Sequence, residues 1–159
     1  MKRNRYKIFL TKKLELKIVS ISSITELQYY SFIKIQKEKH QFTQFLFTSK
    51  LFITLLIRLL KNKDLKISDM SFYDDEDVEI KKRVLSVFEN YSLDNINEKE
   101  VHNQLNYLED DYSIDISSVN ITSKDGHGEL KLYVNGIFED RDTFWNKVLI
   151  DNLNAVWNK

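Results

Sequence analysis

Along this chain the period of the apolar positions changes several times, and each change predicts an element. At 6–11 and 14–21 the apolar side chains alternate, with Leu14, Leu16 and Ile18 on one side, and the Thr11-Lys12-Lys13 break between the two runs predicts a hairpin. Residues 28–37 alternate again, with Ile33 and Ile35 on one face, which predicts a third strand; Ser23-Ile24-Thr25-Glu26 has the spacing of a capping box that would open a helix there instead. Lys37-Glu38-Lys39-His40 then makes a turn, and 41–47 is expected to pair back. From Ser49, read as an N-cap, Leu51, Phe52, Leu55, Leu56, Leu59 and Leu60 recur at spacings of one, three and four. That broad stripe predicts one long apolar core helix near 49–62.

The second half returns to helical spacing. Val78, Val84, Leu85, Val87, Phe88 and Tyr91 give a helical face from about 75 to 91, and Asn97 with Glu100 three residues on opens a second helix carrying Val101, Leu105 and Leu108. Ile114, Ile116, Val119 and Ile121 form one arm of a hairpin, Asp125-Gly126-His127-Gly128 its turn, and Leu130, Leu132 and Val134 the other arm. Asn135-Gly136 allows a further turn. Asp142 or Thr143 caps a closing helix with Phe144, Val148, Leu149, Leu153, Val156 and Trp157 on its stripe. The expected class is α+β, antiparallel strands with about four helices. A basic part, 1–66, and an acidic part, 67–159, are expected to share one compact domain, and any boundary falls near Asn62-Lys63-Asp64.

Charge changes this picture more than composition does. The formal net charge is zero, yet 1–66 holds 15 basic and 4 acidic residues while 67–159 holds 9 basic and 20 acidic. A separation of this kind steers association and suggests that the two halves face different partners, or each other. The chain has no cysteine and no proline, so disulfides, thiolate nucleophiles and Cys-based zinc sites are excluded, in keeping with a reducing bacterial cytoplasm. Met1 to Lys7 is basic like the start of a signal peptide, but the apolar run after it is too short, and 42–60 is interrupted by Lys50 and Arg58, so no targeting or membrane-spanning segment is expected.

With three glycines the chain lacks a Walker-type loop, a dinucleotide fingerprint and a nucleophile elbow, and His40, His102 and His127 share no metal-binding spacing. Glu98 and His102 are four apart, a common spacing on any helix. His127, flanked by glycines beside Asp125 and Glu129, has the chemistry for acid/base work, but a polar hairpin tip explains it as well. No enzyme, cofactor or resident metal is expected.

The candidate chemistry lies in Asp74-Asp75-Glu76-Asp77-Val78-Glu79, five acids in six positions. Acids at a helix start complement the macrodipole, but one or two suffice and five repel one another; a calcium loop would need alternating ligands and a central glycine. Helix capping, a surface for a basic partner and a metal site therefore all stay open. Glu109, Asp110 and Asp111, and Glu139, Asp140 and Asp142, are the other acid clusters. In the basic half, Lys2, Arg3, Arg5, Lys7, Lys12, Lys13 and Lys17, with Tyr29, Tyr30 and Phe32 interleaved among Lys34, Lys37 and Lys39, give a candidate nucleic-acid contact over 1–40.

From MKRNRYKIFLTKKLELKIV at one end to LYVNGIFEDRDTFWNKVLIDNLNAVWNK at the other, the chain resembles the small type II-A anti-CRISPR proteins of staphylococcal mobile elements, stoichiometric inhibitors of Cas9. The resemblance is in size, composition, charge layout and the two ends rather than in a short motif. It implies binding without chemistry: docking on guide-loaded Cas9, at its HNH nuclease domain, to prevent target loading or the movement that licenses cleavage. The acidic clusters would then face surfaces built for DNA, with Tyr73, Tyr112 or Trp145 as exposed aromatic anchors. A regulator that binds nucleic acid through 1–40, and an immunity protein that neutralises a toxin with the same acids, are the alternatives.

Overall fold

In the computed structural model, which describes residues 3–73, 78–111, 115–125, 128–141 and 144–157, alternation and helical spacing resolve into twelve elements. They are β1 (Asn4–Leu10), β2 (Leu16–Ser20), α1 (Glu26–His40), β3 (Thr43–Gln44), α2 (Ser49–Leu59), β4 (Leu65–Phe72), α3 (Val78–Ser92), α4 (Glu98–Asp111), β5 (Ile116–Ser123), β6 (Glu129–Tyr133), β7 (Ile137–Asp140) and α5 (Phe144–Trp157). The class is α+β, and the strands form one antiparallel sheet in the order β2-β1-β7-β6-β5-β4, with β3 pairing β1 off that path.

Register decides which side chains share a face. Tyr6 stands opposite Phe138, Leu132 opposite Phe138, Val119 opposite Leu132 and Met70 opposite Val119, so one continuous apolar face crosses the sheet. That face shares a single core cluster with α2 and α5, among them Phe52, Leu55, Leu56, Leu149 and Leu153. Phe45, Phe47, Phe52 and Trp157 meet edge to face near its rim, with ring centroids 5.1 to 5.7 Å apart. A register shift between Ile67 and Asp69 keeps Ile67 and Met70 on the core face although they are three apart. No helix among the described residues is long and apolar enough to cross a membrane.

Two expectations need correction. Residues 28–37 are helical, not a strand: α1 is capped by Thr25, whose N–H donates to the Gln28 side chain at 3.1 Å, and the helix buries Gln36 while leaving Ile35 exposed. The capping box lies two residues beyond the one read from the sequence, and it adds a fifth helix. The expected long core helix is only three turns, 11 residues, and its N-cap is Thr48, whose Oγ1 accepts from the Leu51 N–H at 3.1 Å.

The sequence's charge asymmetry becomes a spatial one. β1, β2 and α1 carry the basic third of the chain and form one edge of the sheet; β4, with α3 and α4 beside it, forms the other.

Candidate partner-binding surface

The helices α3 and α4 exist because their apolar residues keep helical spacing. Ile80, Val84, Val87 and Phe88 are the buried positions of α3, and Val101, Leu105 and Leu108 those of α4. Between them, Asp94 takes a left-handed backbone, and the Asn97 side chain accepts the Glu100 N–H at 2.9 Å to cap α4. The chain therefore reverses, and α3's first turn lies beside α4's last. An open groove of about 480 Å³ runs between the two helices, with Arg83, Val87 and Asn90 on one wall and Glu100, Gln104 and Tyr107 on the other. Tyr107 is 71% exposed.

This helical hairpin leaves and rejoins the sheet at one rung. The Tyr73 N–H donates to the Asp115 carbonyl at 3.0 Å, continuing the β4–β5 ladder past Phe72 and Ile116. Asp74, Asp75, Glu76, Asp77 and Tyr112 lie outside the described residues. Tyr73 itself is 68% exposed, and Val78, just beyond the acids in sequence, is 66% exposed. Glu79 stands in the first turn of α3 and pairs with Arg83 at 3.5 Å.

Glu109, Asp110 and Asp111 form the last turn of α4, which holds no basic residue. A helix C-terminus carries negative partial charge, so three acids there oppose the macrodipole instead of complementing it. Capping explains Glu79; it does not explain these.

The third acid cluster behaves differently, and part of the expectation is corrected. Asp140 has no solvent exposure, because its place in β7 opposite Asn4 and Leu130 turns it to the core side of the sheet. It cannot meet a partner from there. Trp145 is also fully buried, near Gly128, and is no surface anchor. Glu139 faces the opposite side of the sheet, pairing with Arg5 at 3.4 Å and Arg3 at 3.7 Å. Arg3 also reaches Glu129 at 3.0 Å, and Glu129 reaches Arg141 at 3.8 Å. The Tyr133 hydroxyl donates to Glu139 at 3.5 Å and Asn120 to Glu129 at 3.4 Å, so these carboxylates are neutralised within the molecule. Asp142 lies outside the described residues, as does His127.

His40 packs on Phe42 with centroids 5.5 Å apart, and Glu98 pairs with Lys61 at 3.9 Å. Among the described residues no group of three or more His, Asp or Glu side chains is placed to hold a metal ion. Sequence reasoning missed Tyr107, although a signal was present: a tyrosine lying off the stripe of Val101, Leu105 and Leu108 is an aromatic turned away from the core. Compared with known proteins, the chain matches no family model, no curated protein and no solved structure.

Proposed function

We propose that this protein is a non-enzymatic inhibitor that binds guide-loaded Cas9 at its HNH domain and blocks cleavage of target DNA. The observation that carries the reading is the last turn of α4, where Glu109, Asp110 and Asp111 oppose the helix dipole and sit on the same helical hairpin that follows the 74–79 acids. Acids that work against their own helix are explained by an external basic surface, and a nuclease that grips DNA offers one. Tyr73 and Tyr107 are the exposed aromatics available to anchor such a contact, and the α3–α4 groove gives the apolar area that charge alone lacks. The resemblance of the chain's two ends to small anti-CRISPR proteins supports the choice of partner. In this reading the negative edge competes for a phosphate-binding surface and holds the HNH domain away from its cleavage position.

The test is a target-cleavage assay with guide-loaded staphylococcal Cas9, run beside a direct binding measurement. Replacing Asp74, Asp75, Asp77 with Asn and Glu76, Glu79 with Gln should weaken binding at least about tenfold, with unchanged circular dichroism. A second variant, Glu109→Gln with Asp110→Asn and Asp111→Asn, should do the same. Full inhibition by both variants removes the acidic edge from the mechanism, and absence of binding by the unaltered protein removes this partner.

A further inference from the structure

The opposite edge of the sheet has its own arrangement, independent of the reading above. α1 runs over β1: the Phe9 ring meets Phe32 of α1 at 6.1 Å and Phe42, just past its end, at 6.2 Å, while Arg5 lies under Tyr29 and Tyr30. The helix ends where the chain turns into β3, whose Thr43 stands opposite Leu10, so its last turn and the β1–β2 hairpin tip lie at the same end of the sheet. Lys12 and Lys13 at that tip, Lys17 opposite Phe9 on the α1 side, and Lys34, Lys37 and Lys39 on α1 are thereby gathered on one edge. All six are exposed. Among the described residues only Lys34 is ion-paired, with Glu38 at 4.0 Å, and the acids of this edge, Glu15, Glu26 and Glu38, are half as many. The contrast with the internally paired Arg3, Arg5 and Glu139 is direct.

Two further features distinguish this edge from a merely solvated one. Tyr30, 84% exposed, precedes Lys34 by four residues and Lys37 by seven, which sets all three along one side of α1. Tyr30 also forms the rim of a cavity of about 490 Å³ whose walls are Tyr29, Leu27, Ile24, Ile137 and Arg5. Its aromatic and aliphatic lining, beside a guanidinium, suits a flat heteroaromatic ring. The Tyr29 phenol is held above its ordinary pKa by burial, then by the neighbouring Tyr30, and so remains a hydrogen-bond donor at neutral pH.

We infer that this edge binds a single-stranded polynucleotide, with a base stacked on Tyr30 in the Tyr29–Leu27 cavity and the phosphates following the lysine row toward the β1–β2 tip. A strand of unpaired nucleotides supplies both the flat ring and the string of negative charges that the surface offers to receive, whereas an acidic protein or a lipid surface supplies only the second.

The experiment is fluorescence anisotropy of a labelled oligothymidine of about 20 nucleotides with the full chain, at salt from about 50 to 200 mM. Dissociation constants on the order of micromolar to 100 µM are expected, with a log–log salt slope of about 2 to 3 for three or four neutralised phosphates. Lys12→Glu with Lys13→Glu and Lys37→Glu should weaken binding at least tenfold at the lowest salt and flatten the slope. Tyr30→Ala should weaken it about tenfold with the slope kept, because stacking carries no counterion release. Tyr30 is exposed enough that the fold survives its loss, and Lys147→Glu on α5 serves as a control for charge reversal outside this edge. No binding at low salt overturns the inference. So does equal binding of a duplex or of anionic phosphatidylserine vesicles with no effect of Tyr30→Ala, which would mark a general attraction for anions.

Discussion

Lys7 offers the sharpest test of the fold's energetics. It stands in β1 opposite Val19 and Ile137, has no solvent exposure, and donates from Nζ to the Asn135 carbonyl in the turn before β7. Burial disfavours its charged form and brings the ammonium down from 10.5 to about 8. The unfolded chain therefore holds this proton more tightly than the folded one, and stability must rise as pH climbs from about 8 toward 10.5. With those two pKa values the protonation penalty is about 3.4 kcal/mol at pH 7 and about 0.8 kcal/mol at pH 10, a change of about 2.5 kcal/mol. Lys7→Met removes the penalty but also leaves the Asn135 carbonyl without its donor, a loss of about 1 to 3 kcal/mol at every pH. The two effects nearly offset at pH 7, so the variant should match or slightly exceed the wild type there and fall behind it by roughly 2.5 kcal/mol more at pH 10. Urea melts of both proteins at pH 7, 8, 9 and 10 measure this difference, and the tyrosines, common to both, cancel. A gap between variant and wild type that stays within about 0.5 kcal/mol across that range would refute the reasoning.

Other perturbations have equally definite outcomes. Gly136 has φ of +83°, and a Cβ there would run into the Phe45 carbonyl, so Gly136→Ala should destabilise by about 1 to 3 kcal/mol in a denaturant melt, more than a strain-free glycine substitution could. Thr48→Ala removes the acceptor for the Leu51 N–H and should lower stability by about 1 kcal/mol, while Thr48→Asp should restore most of it. Asp69 is held below its ordinary 3.8 first by its hydrogen bond with Lys81, so the stabilisation is present above that pH and is lost as pH falls through the lowered value. Thermal midpoints of wild type and Lys81→Met should accordingly converge on acidification below 3.8. Under the proposed function, neutralising the 74–79 acids should weaken Cas9 binding and leave oligothymidine binding in place, and Tyr30→Ala should weaken oligothymidine binding and leave Cas9 binding in place.

What the sequence revealed depended on how many faces an element buries. β2, β5 and β6 turn apolar side chains to one core face, β1 keeps Tyr6, Ile8 and Leu10 on that face although Phe9 is buried on the other, and this alternation located them within a few residues. α3 and α4 were readable for the matching reason, a stripe at helical spacing, and Asn97 announced its own cap. α1 was misread because it buries so little: Tyr29, Phe32 and Ile33 lie against the sheet while Leu27, Tyr30 and Ile35 face water, leaving no stripe to compete with the chance alternation of Ile33 and Ile35. The fate of the acids could not be read at all. Whether a carboxylate is offered or neutralised depends on register across strands distant in sequence, and only the pairing of β1 with β7 brings Arg5 against Glu139 and turns Asp140 inward.

That same pairing bears on how the molecule comes into being. β1 lies between β2 and β7, and among the described strands β1 and β7 are the farthest apart in sequence. The β1–β2 hairpin and the short β3 contact at Phe9 and Leu10 can form early, but residues 4–7 of β1 keep one side unmatched until β7 has been made. Assembly must wait on this long-range pairing, and a truncation that removes β7 would expose a central strand as an edge open to its neighbours.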